Sequence, residues 1–189
     1  MSRLTVIRTR ELLFTVALAI AVGSSAVADE VPGVRVALQP AINRPSAPAF
    51  VLDNGASKNV ALSDYRGKVI LLDFWATECG GCVKEIPWFI ELVHAYQNSG
   101  LVAVGVSMEI QYSGLKNADE GWVKVKPWVR SHDVDYPVVM ADDHVVKAYE
   151  IQALPVTYLV DRSGRIAAAY PSLVDRENIE ANIQALLKE

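Results

Sequence analysis

The chain has 189 residues, 51% of them apolar and 21% charged, with a formal net charge of −4. That length and mix suit one ordinary globular domain with a short appendage. The 18 basic residues form no cluster, which excludes the concentrated basic face that phosphate-backbone binding requires.

At the N-terminus, Arg3, Arg8 and Arg10 precede an apolar run from Leu12 to Val22, followed by Gly23-Ser24-Ser25 and Ala26-Val27-Ala28. This order predicts a secretory signal, residues 1–28, cleaved after about Ala28 at an A-x-A site. An uncleaved membrane anchor is the alternative, but the run falls well short of the roughly 20 residues a spanning helix needs. Glu11 is a mild departure from a purely basic leader. Residues 29–46 carry Pro32, Pro40 and Pro45 with little periodicity, and this composition predicts a flexible linker. The domain is then expected over residues 47–189.

Phe50-Val51-Leu52 and Asn59-Val60-Ala61-Leu62 flank Asp53-Asn54-Gly55, a hairpin signal because Asn-Gly supplies the positive φ such turns need. Val69 to Trp75 is a nearly continuous apolar run, as expected of a central strand covered on both faces. Asp73 interrupts it. Beyond the cysteines, Val83, Ile86, Phe89, Ile90, Val93 and Tyr96 recur at helical spacing up to Asn98-Ser99-Gly100, with a kink expected at Pro87. A buried strand from Leu101 to Val106 follows, then a polar stretch through Gly121 that reads as loop. Further elements are expected as a helix over Trp122–His132, a short strand over Tyr136–Ala141 and a helical turn or two over Val145–Tyr149. Strands over Thr157–Val160 and Arg165–Tyr170 and an amphipathic helix over Asp175–Leu187 close the chain. This alternation implies an α/β fold whose sheet is largely parallel.

Cys79 and Cys82 are the only cysteines. A bridge between them closes almost no loop and therefore stabilises little. Their position after a buried strand and at the start of a helix is more informative, because unpaired N–H groups and the helix dipole favour thiolate at Cys79. One helical turn brings two Cα atoms to about 5.5 Å, the separation a disulfide prefers. An inert bridge remains an alternative. A zinc site would have to recruit His94, His132 and His144, none at zinc-motif spacing, and haem attachment would need His where Val83 stands.

The stretch Phe74 to Pro87, with Cys79-Gly80-Gly81-Cys82 at its centre, resembles the TlpA/ResA-like thioredoxins, an extracytoplasmic bacterial family that includes cytochrome c maturation reductases. Ala47-Pro48-Ala49-Phe50, Leu62 to Val69, Val104-Gly105-Val106-Ser107 and Ala153 to Gly164 match in the same order. The resemblance implies a thioredoxin fold: a central mixed β-sheet flanked by helices, an N-terminal β-hairpin and an insertion at roughly residues 107–148. It also implies a periplasmic thiol:disulfide oxidoreductase with no cofactor beyond the redox-active Cys79–Cys82 pair. An exported protein disulfide is the implied substrate, with apocytochrome c as one class, and a membrane thiol reductant would reset the enzyme.

Residue by residue, Pro155 matches the family's cis-proline facing the disulfide, and with Leu154 and Trp75 it is expected to shape the substrate groove. An ordinary trans turn before a strand is the alternative on spacing alone. Asp73 falls where thioredoxin keeps a buried acid that exchanges protons with the second cysteine, and burial should raise its pKa toward neutrality. It is the first candidate for general base to Cys82. Glu85 coincides with the family's active-site glutamate, although by its residue type alone it reads as a solvated helix position. Gly81 and Glu78 depart from the family, which commonly has proline before the second cysteine and an aromatic residue or proline before the first. Two glycines relax the turn, and the Glu78 carboxylate should disfavour a Cys79 thiolate. A peroxidase on the same fold is the second reading, weakened because Thr77 stands only two residues before Cys79. A binding module or chaperone with a dispensable bridge is the third.

Overall fold

A computed structural model describes residues 32–56 and 58–189. The expected signal, residues 1–28, lies outside the described residues. Among those described, no helix is long and apolar enough to cross a membrane.

The apolar run Val69–Trp75 forms β3, with all seven residues buried. It pairs in parallel with β4 (Leu101–Ser107), which pairs in parallel with β5 (Val138–Met140). On its other side β3 runs antiparallel to β6 (Val156–Val160), and β6 to β7 (Ile166–Tyr170), giving the order β5-β4-β3-β6-β7. The sheet is thus mixed, as the resemblance implies, rather than largely parallel: the turn Asp161–Gly164 folds β7 straight back on β6.

Because successive strand residues face opposite sides, β3 feeds two cores. Val69, Leu71 and Trp75 join Ile86 and Phe89 of α1 (Gly80–Tyr96) and Ile179 and Ile183 of α5 (Arg176–Lys188). Ile70, Leu72 and Phe74 join Phe50, which precedes β1, and Leu52 and Val60 from the antiparallel pair β1 (Val51–Asp53) and β2 (Asn59–Ala61). Each buried Leu or Ile contributes about 2 kcal/mol by leaving water. Pro87 lies inside α1 without ending it, and Asp175 caps α5 by accepting the Asn178 N–H at 2.8 Å.

Two expectations are corrected. The polar stretch read as loop contains α2 (Glu109–Ser113) and the first turn of α3 (Ala118–Ser131). Asn117 caps α3 through the Glu120 N–H, and Asp119 and Glu120 complement the helix dipole. Residues 33–46 do not behave as a free tether either. They lie along β7 and α5: Val34 bridges Val174, Ser46 bridges Arg165, and the Gln39 N–H donates to the Ala167 carbonyl. Arg44, 5% exposed, pairs with Asp161 at 3.0 Å and with Glu189 at 2.6 Å. Apart from a single 3-10 turn at Ala41–Asn43 the proline-rich segment has no helix, but its backbone groups still find partners on the domain.

Candidate active site

The end of β3 delivers the chain to the start of α1, and Cys79 occupies the cap position there, accepting the Cys82 N–H on its sulfur at 3.2 Å. The two cysteines are joined, with Cα atoms 5.3 Å apart, so the bridge opens and closes within one helical turn. Cys79 is 4% exposed and Cys82 is fully buried. The N–H groups of the first helical turn stabilise a thiolate at Cys79.

Leu154–Pro155 is a cis peptide. Pro155 packs on the helix start: a Cβ built at Gly81 would stand 3.0 Å from its Cδ. Glycine is therefore suited to this position by the closeness of the proline ring, whereas Gly80 faces open space. Leu154 is half-buried beside it. Trp75 is fully buried, its ring 4.7 Å from Trp128, so it backs the disulfide from inside rather than lining an open groove.

Behind Cys82 lies a buried acid pair. Cys82, Glu85, Ile86 and Phe89 share the inner face of α1. Asp73 projects from β3 toward the same core, with Gly105 of β4 and Thr157 of β6 at its sides in register. Both acids are fully buried. Burial pushes the Asp73 carboxyl well above the ordinary carboxylate range, and the nearby Glu85 charge adds to the rise. Burial raises Glu85 to about 7, opposed by the Val174 N–H that donates to its Oε1. The other Glu85 oxygen, both Asp73 oxygens, the Thr157 and Tyr136 hydroxyls and the Trp75 Nε1 have no protein partner. Buried polar groups without protein partners are costly, and here they are concentrated around the two acids. The geometry brings Asp73 and Glu85 together in one buried pocket. It adds Tyr136 and Thr157, which carry no motif signal: each sits in an ordinary strand or strand-edge sequence, and only the register places it by Asp73.

The insertion reaches the site through a third buried acid, Glu109. Its Oε2 accepts the Thr77 N–H at 2.9 Å and its Oε1 accepts from the Ser113 hydroxyl at 2.6 Å. Lys124 of α3 lies 2.9 Å from Glu109 and 3.1 Å from Glu78. Burial opposes charge on Glu109, but Ser113, Thr77 and Lys124 together hold its carboxyl below the ordinary value. Lys124 thus offsets the carboxylate next to Cys79, the departure that would otherwise disfavour its thiolate. In Lys124→Met, iodoacetamide should alkylate reduced Cys79 about threefold more slowly at pH 6.5, with the difference lost once Glu78→Gln is also present. Equal slowing with and without Glu78→Gln would show that Lys124 does not act through that charge.

The histidines considered for zinc do not gather on the cysteines: His94 pairs with Asp135, and His132 stacks on Trp128 at 3.8 Å.

Residues 44–169 match the AhpC/TSA family. A thiol-disulfide oxidoreductase ResA of Geobacillus thermodenitrificans is 30% identical over 142 residues, spanning 75% of this chain and 76% of that protein. Among solved structures, a thiol:disulfide interchange protein of a Bacteroides species aligns with a TM-score of 0.62 and 25% identity, covering 77% of this chain and 90% of its own. A secreted thiol-disulfide isomerase of Corynebacterium glutamicum aligns with a TM-score of 0.68 over 85% of this chain and 96% of its own; at 19% identity it shows the fold. A dithiol at disulfide distance on a helix start, in a thioredoxin fold with ResA relatives, exchanges disulfides. The chain belongs to the AhpC/TSA family, as a ResA-like thiol:disulfide oxidoreductase that works through Cys79 and Cys82.

Proposed function

We propose that this chain acts outside the cytoplasm as a reductant of protein disulfides. The Cys79 thiolate attacks one sulfur of the substrate disulfide, forming a mixed disulfide and releasing the other substrate sulfur as a thiolate. Cys82 then loses its proton and attacks Cys79, which closes the enzyme disulfide and frees the second substrate thiolate. Two electrons pass to the substrate, and a membrane thiol reductant returns two to the enzyme. The observation that carries this reading is the bridged pair itself, with Cys79 at the helix cap and Cys82 recessed beside two buried acids. Attack by the recessed sulfur needs a proton acceptor poised near neutrality, which Glu85 supplies at about 7. Asp73, raised well above the carboxylate range, serves as the second station. Asp73 and Glu85 share the role of general base to Cys82 in this reading. The basic-apolar-small order of residues 1–28 supports export to the periplasm, and apocytochrome c is a substrate class suited to such a reductant.

Equilibration of the dithiol against glutathione or dithiothreitol, followed by thiol alkylation, tests the direction. A potential more negative than about −230 mV is expected of a reductant, and one near the roughly −120 mV of a strong oxidant would reverse the assignment.

A further inference from the structure

The Val174 N–H that contacts Glu85 belongs to the short segment between β7 and α5. The Val174 side chain is buried in the core and Asp175 caps α5, while from outside the segment's backbone is paired by the chain's strap, residues 33–36. Val34 pairs alongside Val174, donating its N–H to the Leu173 carbonyl at 2.7 Å and accepting the Asp175 N–H at 3.0 Å. Gly33 lies flat on the same peptide: a Cβ there would stand 2.3 Å from the Val174 carbonyl oxygen and 2.4 Å from the Asp175 nitrogen. Contacts that close to backbone leave no room for any side chain at position 33. Two further bonds secure the strap to α5, since Asn178 accepts the Val36 N–H and Asn182 donates to the Val36 carbonyl, both at 2.8 Å.

We propose that Gly33 and Val34 are positioning residues for Glu85: by clamping Leu173–Asp175 from outside, they hold the Val174 N–H on the buried carboxyl and so tune proton transfer behind Cys82. The inference rests on the proton-accepting role proposed for Glu85. Titratable groups facing Glu85 are Asp73 from β3 and Tyr136 from the segment before β5, and neither touches the strap in the contacts above. The Val174 hydrogen bond favours the ionised form of Glu85, opposing burial. A displaced Val174 would leave burial unopposed and move the Glu85 midpoint upward.

The test compares Gly33→Ala with Arg35→Ala, which removes only the exposed ion pair to Asp175. Carboxyl carbon NMR of the reduced protein reads Glu85 directly, and stopped-flow release of a mixed disulfide reads the resolving step. Gly33→Ala should shift the Glu85 midpoint upward and slow release about fivefold at pH 6.5, while Arg35→Ala leaves both within twofold of the parent. If Gly33→Ala does not fold, Val34→Pro, which deletes the N–H to Leu173 with no added bulk at position 33, takes its place. An unchanged Glu85 midpoint in a folded variant, even one of lowered melting temperature, would overturn the clamp. A shifted midpoint with an unshifted release profile would support the clamp and refute Glu85 as the proton acceptor.

Discussion

Cys82→Ser is expected to stop turnover while leaving the first exchange intact. Cys79 occupies the cap position, with helix N–H groups to stabilise its thiolate and a sliver of exposed surface, so it still attacks a substrate disulfide. The mixed disulfide then has no internal nucleophile. In the parent, the second sulfur is one helical turn away, with Cα atoms 5.3 Å apart, and intramolecular attack at that range replaces a bimolecular step. An external thiol at millimolar concentration is a poor substitute, so insulin reduction should fall by about 10³-fold or more. Non-reducing gels and mass spectrometry should show a stable adduct on Cys79. Cys79→Ser should form no adduct, because the remaining sulfur is fully buried. An adduct accumulating equally in both variants would mean that either sulfur reaches substrate.

The second large effect concerns stability against pH. The folded-state pKa of Glu85 is raised from 4.5 to about 7. Between those values the folded protein holds a proton that the unfolded chain has released. Stability from this group is therefore present below 4.5, declines as pH rises toward 7 and is constant above. The span corresponds to about 3 kcal/mol. Asp161 and Glu109 have lowered pKa values and act with the opposite sign at lower pH, so the informative quantity is a difference. Glu85→Gln should gain about 3 kcal/mol over the parent between pH 4.5 and pH 8, measured by urea unfolding at each pH. It should also remove the inflection near pH 7 from mixed-disulfide release. A difference that does not vary with pH would show that Glu85 ionises normally in the folded state.

How much of this was legible before the structure varies with the physical signal. β3 was plain, because seven residues buried on both faces must read as a continuous apolar run, and Asp73 stood out as the charge inside it. Glu85 was different. Its residue type favours a surface position, and only the family resemblance placed it at the site; its burial follows from the i, i+3 relation to Cys82 on the inner face of α1. Tyr136 and Thr157 could not be singled out, since their contribution depends on strand register across β3, β4, β5 and β6. The stretch through Gly121 carries no helical signal because α2 is only five residues long, too short for an apolar period, and its first residue is a buried glutamate. Likewise, proline in residues 32–46 leaves only a short 3-10 turn at Ala41–Asn43 and says nothing of docking, which runs through backbone bonds and one buried arginine.

Competition between light and heavy isotopes of iodoacetamide on the reduced protein, with peptide mapping after brief exposure at pH 7, tests most directly which sulfur meets the substrate. If Cys79 faces outward and Cys82 is the recessed resolving thiol, the first label falls almost entirely on Cys79. First labelling at Cys82, or an even division between the two, would contradict the account.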